Sequence, residues 1–171
     1  MEITLSSQFE IPILFLVFNR LDTTKQVFEF IRQVKPKHLY IASDGARDYK
    51  AGEKEIVGAV RNYVLSSIDW ECKVKTLFRD SNLGCRNAVN GAINWLFDNE
   101  ETGIILEDDC LPSHSFFQFC EELLEKYKLD TRIMCISGDN FSQDRFDFNF
   151  SYLFSGVPLI WVGQAGEEPG L

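Results

Sequence analysis

Gly103-Ile104-Ile105-Leu106-Glu107-Asp108-Asp109 decides the fold class, because a short apolar strand leads directly into three consecutive carboxylates. Carboxylates at the carboxyl end of a buried strand lie in the crevice where open α/β sheets bind ligands. Solvated charge runs, in contrast, usually lie on helix faces. In a chain with 26 acidic residues among 171, this position is what gives the triplet meaning. The pattern predicts a divalent-cation site, with a plain acidic turn as the alternative.

Composition indicates one globular domain. Apolar residues make up 45% of the chain, and 15 Phe are available to fill a core. The longest apolar run, residues 11–18, is too short to span a bilayer, and residues 1–10 lack the basic start of a signal peptide. We therefore expect a cytoplasmic protein without a transmembrane segment.

Charge and cysteine content restrict the partners and cofactors. A formal net charge of -9 disfavours nucleic acid and anionic membranes, and it opposes any phosphate ligand unless a bound Mg²⁺ or Mn²⁺ compensates locally. The five cysteines form an odd set without a CxxC pair, so we expect neither a disulfide framework nor a zinc site. Reduced thiols in or near the core are the expectation.

Apolar strands alternate with amphipathic helices, which is the pattern of an α/β protein. The predicted strands are residues 12–18, 38–42, 74–78, 103–106 and 133–136. Helices are predicted between successive strands, and the third carries Arg86 in its first turn. Five strands interleaved with four helices predict right-handed crossovers and a three-layer α/β/α sandwich with a mostly parallel central sheet.

Polar side chains follow three of these strands and should converge on one crevice. Asn19 and Arg20 follow the first strand, Asp44 follows the second, and the acidic triplet follows the fourth. Arg20 can donate two hydrogen bonds to a phosphate, Asp44 can accept from a base or ribose, and Asp109 can ligate a cation that bridges two phosphates. The set predicts a nucleotide-diphosphate site without a P-loop.

Simpler interpretations stay open for each residue. Arg20 could form a salt bridge with Asp22, and Asp44 could close an Asx-turn. Residues 82–84 could offer backbone N–H groups to a phosphate or form an ordinary turn. We interpret His38 and His114 as structural or surface residues.

The order of the motifs resembles that of the GT-A fold nucleotide-diphospho-sugar transferases, and most closely the N-acetylglucosaminyltransferase-I-like group. The motifs are PILFLVFNR (12–20), ASDG (42–45), NLGC (82–85), ILEDD (105–109), SFFQF (115–119) and CISGDN (135–140). The resemblance covers roughly residues 11–161, and its specificity lies in the order of the motifs.

This resemblance implies a Rossmann-like GT-A fold in which the triplet is the DxD-type motif. Asp109 would ligate Mn²⁺ or Mg²⁺ held by the diphosphate, Asp108 would contact ribose, and Glu107 would contact the sugar. Further nucleotide-sugar contacts are implied for Phe18, Asn19, Arg20, Asp44 and Arg86. Of these, Asp44 would meet the base, which is usually uracil in this group.

The implied activity is metal-dependent transfer from a UDP-sugar to a glycan, glycolipid or protein-linked acceptor, with inversion by direct displacement. A cation and Arg20 would stabilise the charge that develops on the leaving diphosphate. One alternative is a nucleotidyltransferase, which should show a Gly-rich basic loop where this chain has residues 19–22, NRLD. Another is a non-catalytic sugar-nucleotide-binding module.

The end of the chain changes in composition. Residues 1–161 are predicted to form an incomplete donor-binding domain, and residues 162–171, VGQAGEEPGL, an irregular and non-native tail. By the resemblance, the acceptor-binding half and the catalytic base would lie beyond this end. Asp139 or Asp144 would become the suspected base if the chain itself transferred sugar.

Overall fold

The computed structural model describes residues 8–113, 115–137 and 162–164, and it shows an α/β fold. His114, Asp139, Asp144 and residues 165–171 lie outside the described residues. In chain order the elements are β1 (Ile13–Val17), α1 (Leu21–Val34), β2 (His38–Ser43), α2 (Glu53–Ser66), β3 (Lys73–Phe78), α3 (Cys85–Phe97), β4 (Thr102–Glu107), α4 (Phe116–Tyr127), β5 (Cys135–Ile136) and β6 (Val162–Gln164).

The strands form one sheet in the order β3-β2-β1-β4-β6-β5. The first four are parallel, with Ile13 of β1 paired to Leu39 of β2 and to Ile104 of β4. β6 runs antiparallel between β4 and β5. The predicted fold class, a mostly parallel sheet flanked by helices, is confirmed.

Two apolar layers cover the parallel strands. On one face α1, α2 and α4 pack against side chains that include Phe15, Ile41 and Leu106. On the other face α3 packs against side chains that include Leu16 and Ile105. Every residue of β1 is buried, which explains why its sequence is continuously apolar rather than alternating.

The predicted end of the sheet is partly wrong. The fifth predicted strand, residues 133–136, is shorter in the structure, Cys135–Ile136, and it pairs antiparallel with β6. The predicted irregular tail is wrong for Val162–Gln164, where backbone pairing places Gly163 opposite Gly103 of β4. Three residues with a central glycine carry no strand signature of their own, because the pairing uses backbone groups that every residue has.

The structure also describes the cysteine side chains and the length of the helices. Cys72, Cys85 and Cys120 are free thiols, and Cys120 is buried. Within the described ranges, none of the helices has the length and apolar character needed to cross a membrane.

Candidate functional site

The candidate site lies at the carboxyl edge of the parallel strands. β1 pairs with β2 and β4 on its two sides, with Val17 opposite Ser43 and Leu16 opposite Glu107. Neighbouring strands are about 4.8 Å apart, so the segments that leave their carboxyl ends are adjacent. The carboxyl ends of the first, second and fourth predicted strands are therefore adjacent.

Arg20 joins the β1 end to the acidic triplet. Its Nη2 donates to Asp108 Oδ1 at 2.6 Å, and its Nη1 donates to Asp109 Oδ2 at 2.5 Å. The backbone N–H of Phe18 donates to Asp108 Oδ2 at 3.1 Å. Arg20 thus pairs with these two acids rather than with Asp22, which was the simpler interpretation.

The three carboxylates of the triplet repel one another, and the Arg20 guanidinium hydrogen-bonds to only two of them. Burial raises the pKa of Asp108, although Arg20 and the Phe18 N–H partly oppose this effect. Partial desolvation, followed by repulsion from Asp109 and Asp108, raises the pKa of Glu107. Burial would lower the pKa of Arg20, but its two acidic partners outweigh burial and raise it. With three carboxylates and one guanidinium, this edge carries a formal net negative charge.

Asp109 fits the role of one protein ligand to a divalent cation. Its side chain is 40% exposed, whereas that of Asp108 is 3% exposed. Among the residues that the structure describes, no group of three or more His, Cys, Asp or Glu is arranged to hold a metal ion. Mg²⁺ typically binds through one or two carboxylates plus substrate phosphates and water, so one exposed carboxylate suits a cation that arrives with a diphosphate.

Asp44 is engaged with backbone groups. Its Oδ1 accepts from the N–H groups of Gly45 and Leu83, each at 3.0 Å, and its Oδ2 accepts from Leu83 and Gly84, each at 3.1 Å. These bonds fasten the loop between β3 and α3 to the end of β2. The carboxylate has few acceptor sites left, so the geometry favours an anchoring role, and base contact stays a prediction.

The same bonds change the interpretation of residues 82–84. The N–H groups of Leu83 and Gly84 point to Asp44, so they are not offered to a phosphate in this structure. Asn82 adds a further tie, because its Nδ2 donates to Gly45 O at 2.7 Å. The segment is an irregular loop tied to the residues that follow β2, and not the predicted turn.

Glu53 is a site residue that the sequence did not reveal. Its side chain is fully buried at the start of α2 and accepts from Asn19 Nδ2 at 2.8 Å. Arg47 donates to it through its backbone N at 2.9 Å, its Nε at 2.8 Å and its Nη2, and Lys50 Nζ lies 3.4 Å away. The Arg47 side chain leads the groups that hold the pKa of Glu53 far below its usual range, despite burial.

Arg47 connects Glu53 to the β1 end, because its guanidinium lies over the Phe18 ring, 5.5 Å from the ring centroid. Phe18, Asn19 and Arg20 are thus each held by a partner from another element. In the sequence, Glu53 looks like an ordinary acid in the first turn of a helix, so no signal marked it as buried.

Arg61 is a second residue near the site that the sequence pattern did not mark. It donates from Nη2 to three backbone carbonyls at the ends of β2 and β3, those of Ser43, Asp44 and Arg79, at 2.8–3.3 Å. Arg61 therefore satisfies strand-end acceptors next to the site.

Arg86 is exposed in the first turn of α3, as predicted. Within the described ranges, its side chain forms no hydrogen bond or ion pair with another residue. The structure does not bring it together with Arg20 or the triplet, and its nucleotide contact stays a prediction.

Comparisons with known proteins give a structural match but no sequence match. No family model and no curated protein matches the chain. Among solved structures, a mannosyltransferase from Pyrobaculum calidifontis in complex with GDP-Man and Mn²⁺ is similar, with a TM-score of 0.52 and 14% sequence identity. The similarity covers 81% of this chain and 38% of that one. The fold of this chain is therefore similar to that of the matched part of this mannosyltransferase.

Proposed function

We propose that the chain is the donor-binding domain of a metal-dependent glycosyltransferase that uses a UDP-sugar. The acceptor would be a glycan, a glycolipid or a protein-linked group. The observation that supports this most is the cluster of Arg20, Asp108 and Asp109 at the carboxyl edge of a parallel sheet. In this cluster Arg20 can donate hydrogen bonds to a phosphate, and it lies beside the exposed carboxylate of Asp109, which is suited to Mg²⁺ or Mn²⁺.

The side chains of the cluster have separate roles in this proposal. Asp109 holds the cation, and Arg20 donates hydrogen bonds to the diphosphate. The motif resemblance assigns the ribose to Asp108, which the Phe18 N–H and Arg20 hold in place, and the sugar to Glu107. A bound cation would neutralise charge on the departing diphosphate. Inversion at the anomeric carbon follows from the motif resemblance.

Uracil and guanine are the two bases that the observations suggest. The order of the sequence motifs favours uracil, whereas the similar mannosyltransferase structure contains GDP-Man. We propose UDP because ASDG, residues 42–45, belongs to the motif order that resembles the UDP-using group.

A nucleotidyltransferase is less well supported. Only Phe18, Asn19 and Arg20 separate β1 from α1, and none of them is glycine. A phosphate-cradling loop needs several backbone N–H groups turned towards one point, which three residues with side chains at a helix start do not supply.

A thermal-shift screen with UDP, GDP, CDP and dTDP, each with Mn²⁺ or EDTA, tests the proposal. UDP with Mn²⁺ should give the largest stabilisation, about 2.7 kcal/mol at a ligand concentration of 100 Kd. Equal stabilisation in EDTA would remove the role of the metal. A larger effect of GDP would reassign the base. Measuring sugar transfer separately from binding distinguishes an enzyme from a binding module.

A further inference from the structure

We propose that Arg20 acts as an internal counter-ion for Asp109, so that the chain takes its cation together with the nucleotide diphosphate and binds the free cation poorly. This inference rests on the proposed function, because it assigns the cation to Asp109. It adds that the site binds the cation complexed with a nucleotide diphosphate in preference to the free cation.

The two carboxylates that the Arg20 guanidinium contacts differ in exposure. Nη2 contacts Asp108, whose side chain is 3% exposed, and Nη1 contacts Asp109, whose side chain is 40% exposed. The bond to Asp108 is therefore shielded, whereas solvent and ions can reach the bond to Asp109. A cation can therefore replace Arg20 Nη1 at Asp109, but not Nη2 at Asp108.

The backbone of Arg20 is held independently of its side chain. Its carbonyl oxygen accepts from the Thr24 N–H at 3.0 Å and from Thr24 Oγ1 at 2.6 Å, which ties it to the first turn of α1. The guanidinium can thus change partners while the β1 end stays in place.

A free cation at Asp109 meets a positive charge already bound to the same carboxylate. It must displace Nη1 or tolerate repulsion from it, so its affinity is reduced. A diphosphate removes this conflict, because its oxygens accept from the released guanidinium and also ligate the cation. Each ligand therefore raises the affinity of the other, by the reciprocity of coupled binding.

The test measures Mn²⁺ alone and UDP at saturating Mn²⁺, in the wild-type chain and in Arg20→Met. Free Mn²⁺ can be counted by its electron paramagnetic resonance signal, and UDP binding by calorimetry. Arg20→Met should bind Mn²⁺ alone about tenfold more tightly and UDP about tenfold more weakly. Opposite shifts of the two affinities are not expected from a merely structural role.

Arg32→Met is the matched control. Arg32 also pairs with two carboxylates, Glu29 and Asp69, but near the far end of α1. Its removal should leave both affinities unchanged. Arg20→Lys keeps the charge but lacks the fork that reaches two carboxylates, and it should tighten Mn²⁺ binding by a smaller factor. It also serves as the test variant if Arg20→Met does not fold.

The outcomes separate the inference from the function. If the wild-type chain shows no Mn²⁺-dependent UDP binding, the proposed function fails. If the wild-type chain does bind UDP with Mn²⁺ but the Arg20 variants bind free Mn²⁺ no more tightly, only the inference is overturned.

Discussion

Two buried carboxylates hold residues 18–20 from opposite sides, and their pKa values move in opposite directions. Asp108 has one guanidinium and one N–H as partners, so burial dominates and raises its pKa. Glu53 has several donors, led by Arg47, and these lower its pKa in spite of burial. Burial is the largest influence on the pKa of Asp108, whereas the hydrogen bonds from Arg47 are the largest influence on that of Glu53.

Glu53→Gln should change the acid stability of the chain. A carboxyl group whose folded pKa lies below its ordinary value of 4.5 stabilises the folded state above that pH, and the stabilisation is lost as the pH falls below it. The variant should therefore be less stable than wild type at pH 7, and the difference should shrink between pH 4.5 and pH 2.5.

Urea unfolding at a series of pH values measures this difference. The control is Glu122→Gln, which changes an exposed glutamate of α4 that has Gln118 as its partner. A Glu53→Gln deficit that stayed constant with pH would show that Glu53 acts through shape and not through its charge.

Asp44→Ala should destabilise the chain, because it leaves the N–H groups of Gly45, Leu83 and Gly84 without their acceptor. The expected loss is about 1–3 kcal/mol, measured by urea unfolding. Asp98→Ala, at an exposed position after α3, is the control. Unchanged stability combined with lost UDP binding would contradict the anchoring role and assign Asp44 to the base.

At the level of elements, the end of β2 and the loop before α3 approach each other so closely that only glycine fits at position 45. A Cβ there would lie 2.4 Å from the backbone carbon of Ser81. Because the obstacle is backbone, neither side can move without shifting a strand end or the loop. This contact sets the position of the loop at the candidate site.

Gly45→Ala should therefore cost about 1–3 kcal/mol through overpacking, and calorimetric melting can measure it. Gly58→Ala is the matched control, since it lies in α2 and a Cβ there meets nothing within 4 Å. It should stabilise the chain by about 0.5–1 kcal/mol. Equal effects of the two substitutions would show that the approach at Ser81 is not tight.

The parallel strands could be predicted because burial on both faces leaves a continuous apolar run, as in β1 and β4. The meeting of Arg20 with Asp108 and Asp109 could also be predicted, since topology brings parallel strand ends to one edge. The hydrogen bonds that Asn19 and Arg47 donate to Glu53 could not be predicted. They depend on residues 44–52 folding back, and an acid in a first helical turn has the same pattern whether solvated or buried.

The hydrogen-bond partners of Asp44 could not be predicted from the sequence either. The residues Ser43, Asp44 and Gly45 predict a turn, but the partners of Asp44 at Leu83 and Gly84 are 39 and 40 residues away in sequence. Local turn chemistry contains no information about such partners. β6 was missed for a similar reason, because its pairing with β4 uses backbone groups alone.

For the whole molecule, charge is the main obstacle to the proposed ligand. The formal net charge is -9, and the acidic triplet adds a local negative field at the site itself. A diphosphate without a cation is repelled by both. Binding of UDP should therefore require a divalent cation, and the exposed Asp109 is the carboxylate proposed to hold it.

Titration calorimetry of UDP into the wild-type chain and into Asp109→Ala, with Mn²⁺ and with EDTA, tests this claim most directly. Binding should be present only for wild type with Mn²⁺, while Asp109→Ala should keep the wild-type melting temperature within a few degrees, because its side chain lies outside the core. UDP binding by wild type in EDTA, or by Asp109→Ala with wild-type affinity in Mn²⁺, would contradict the account.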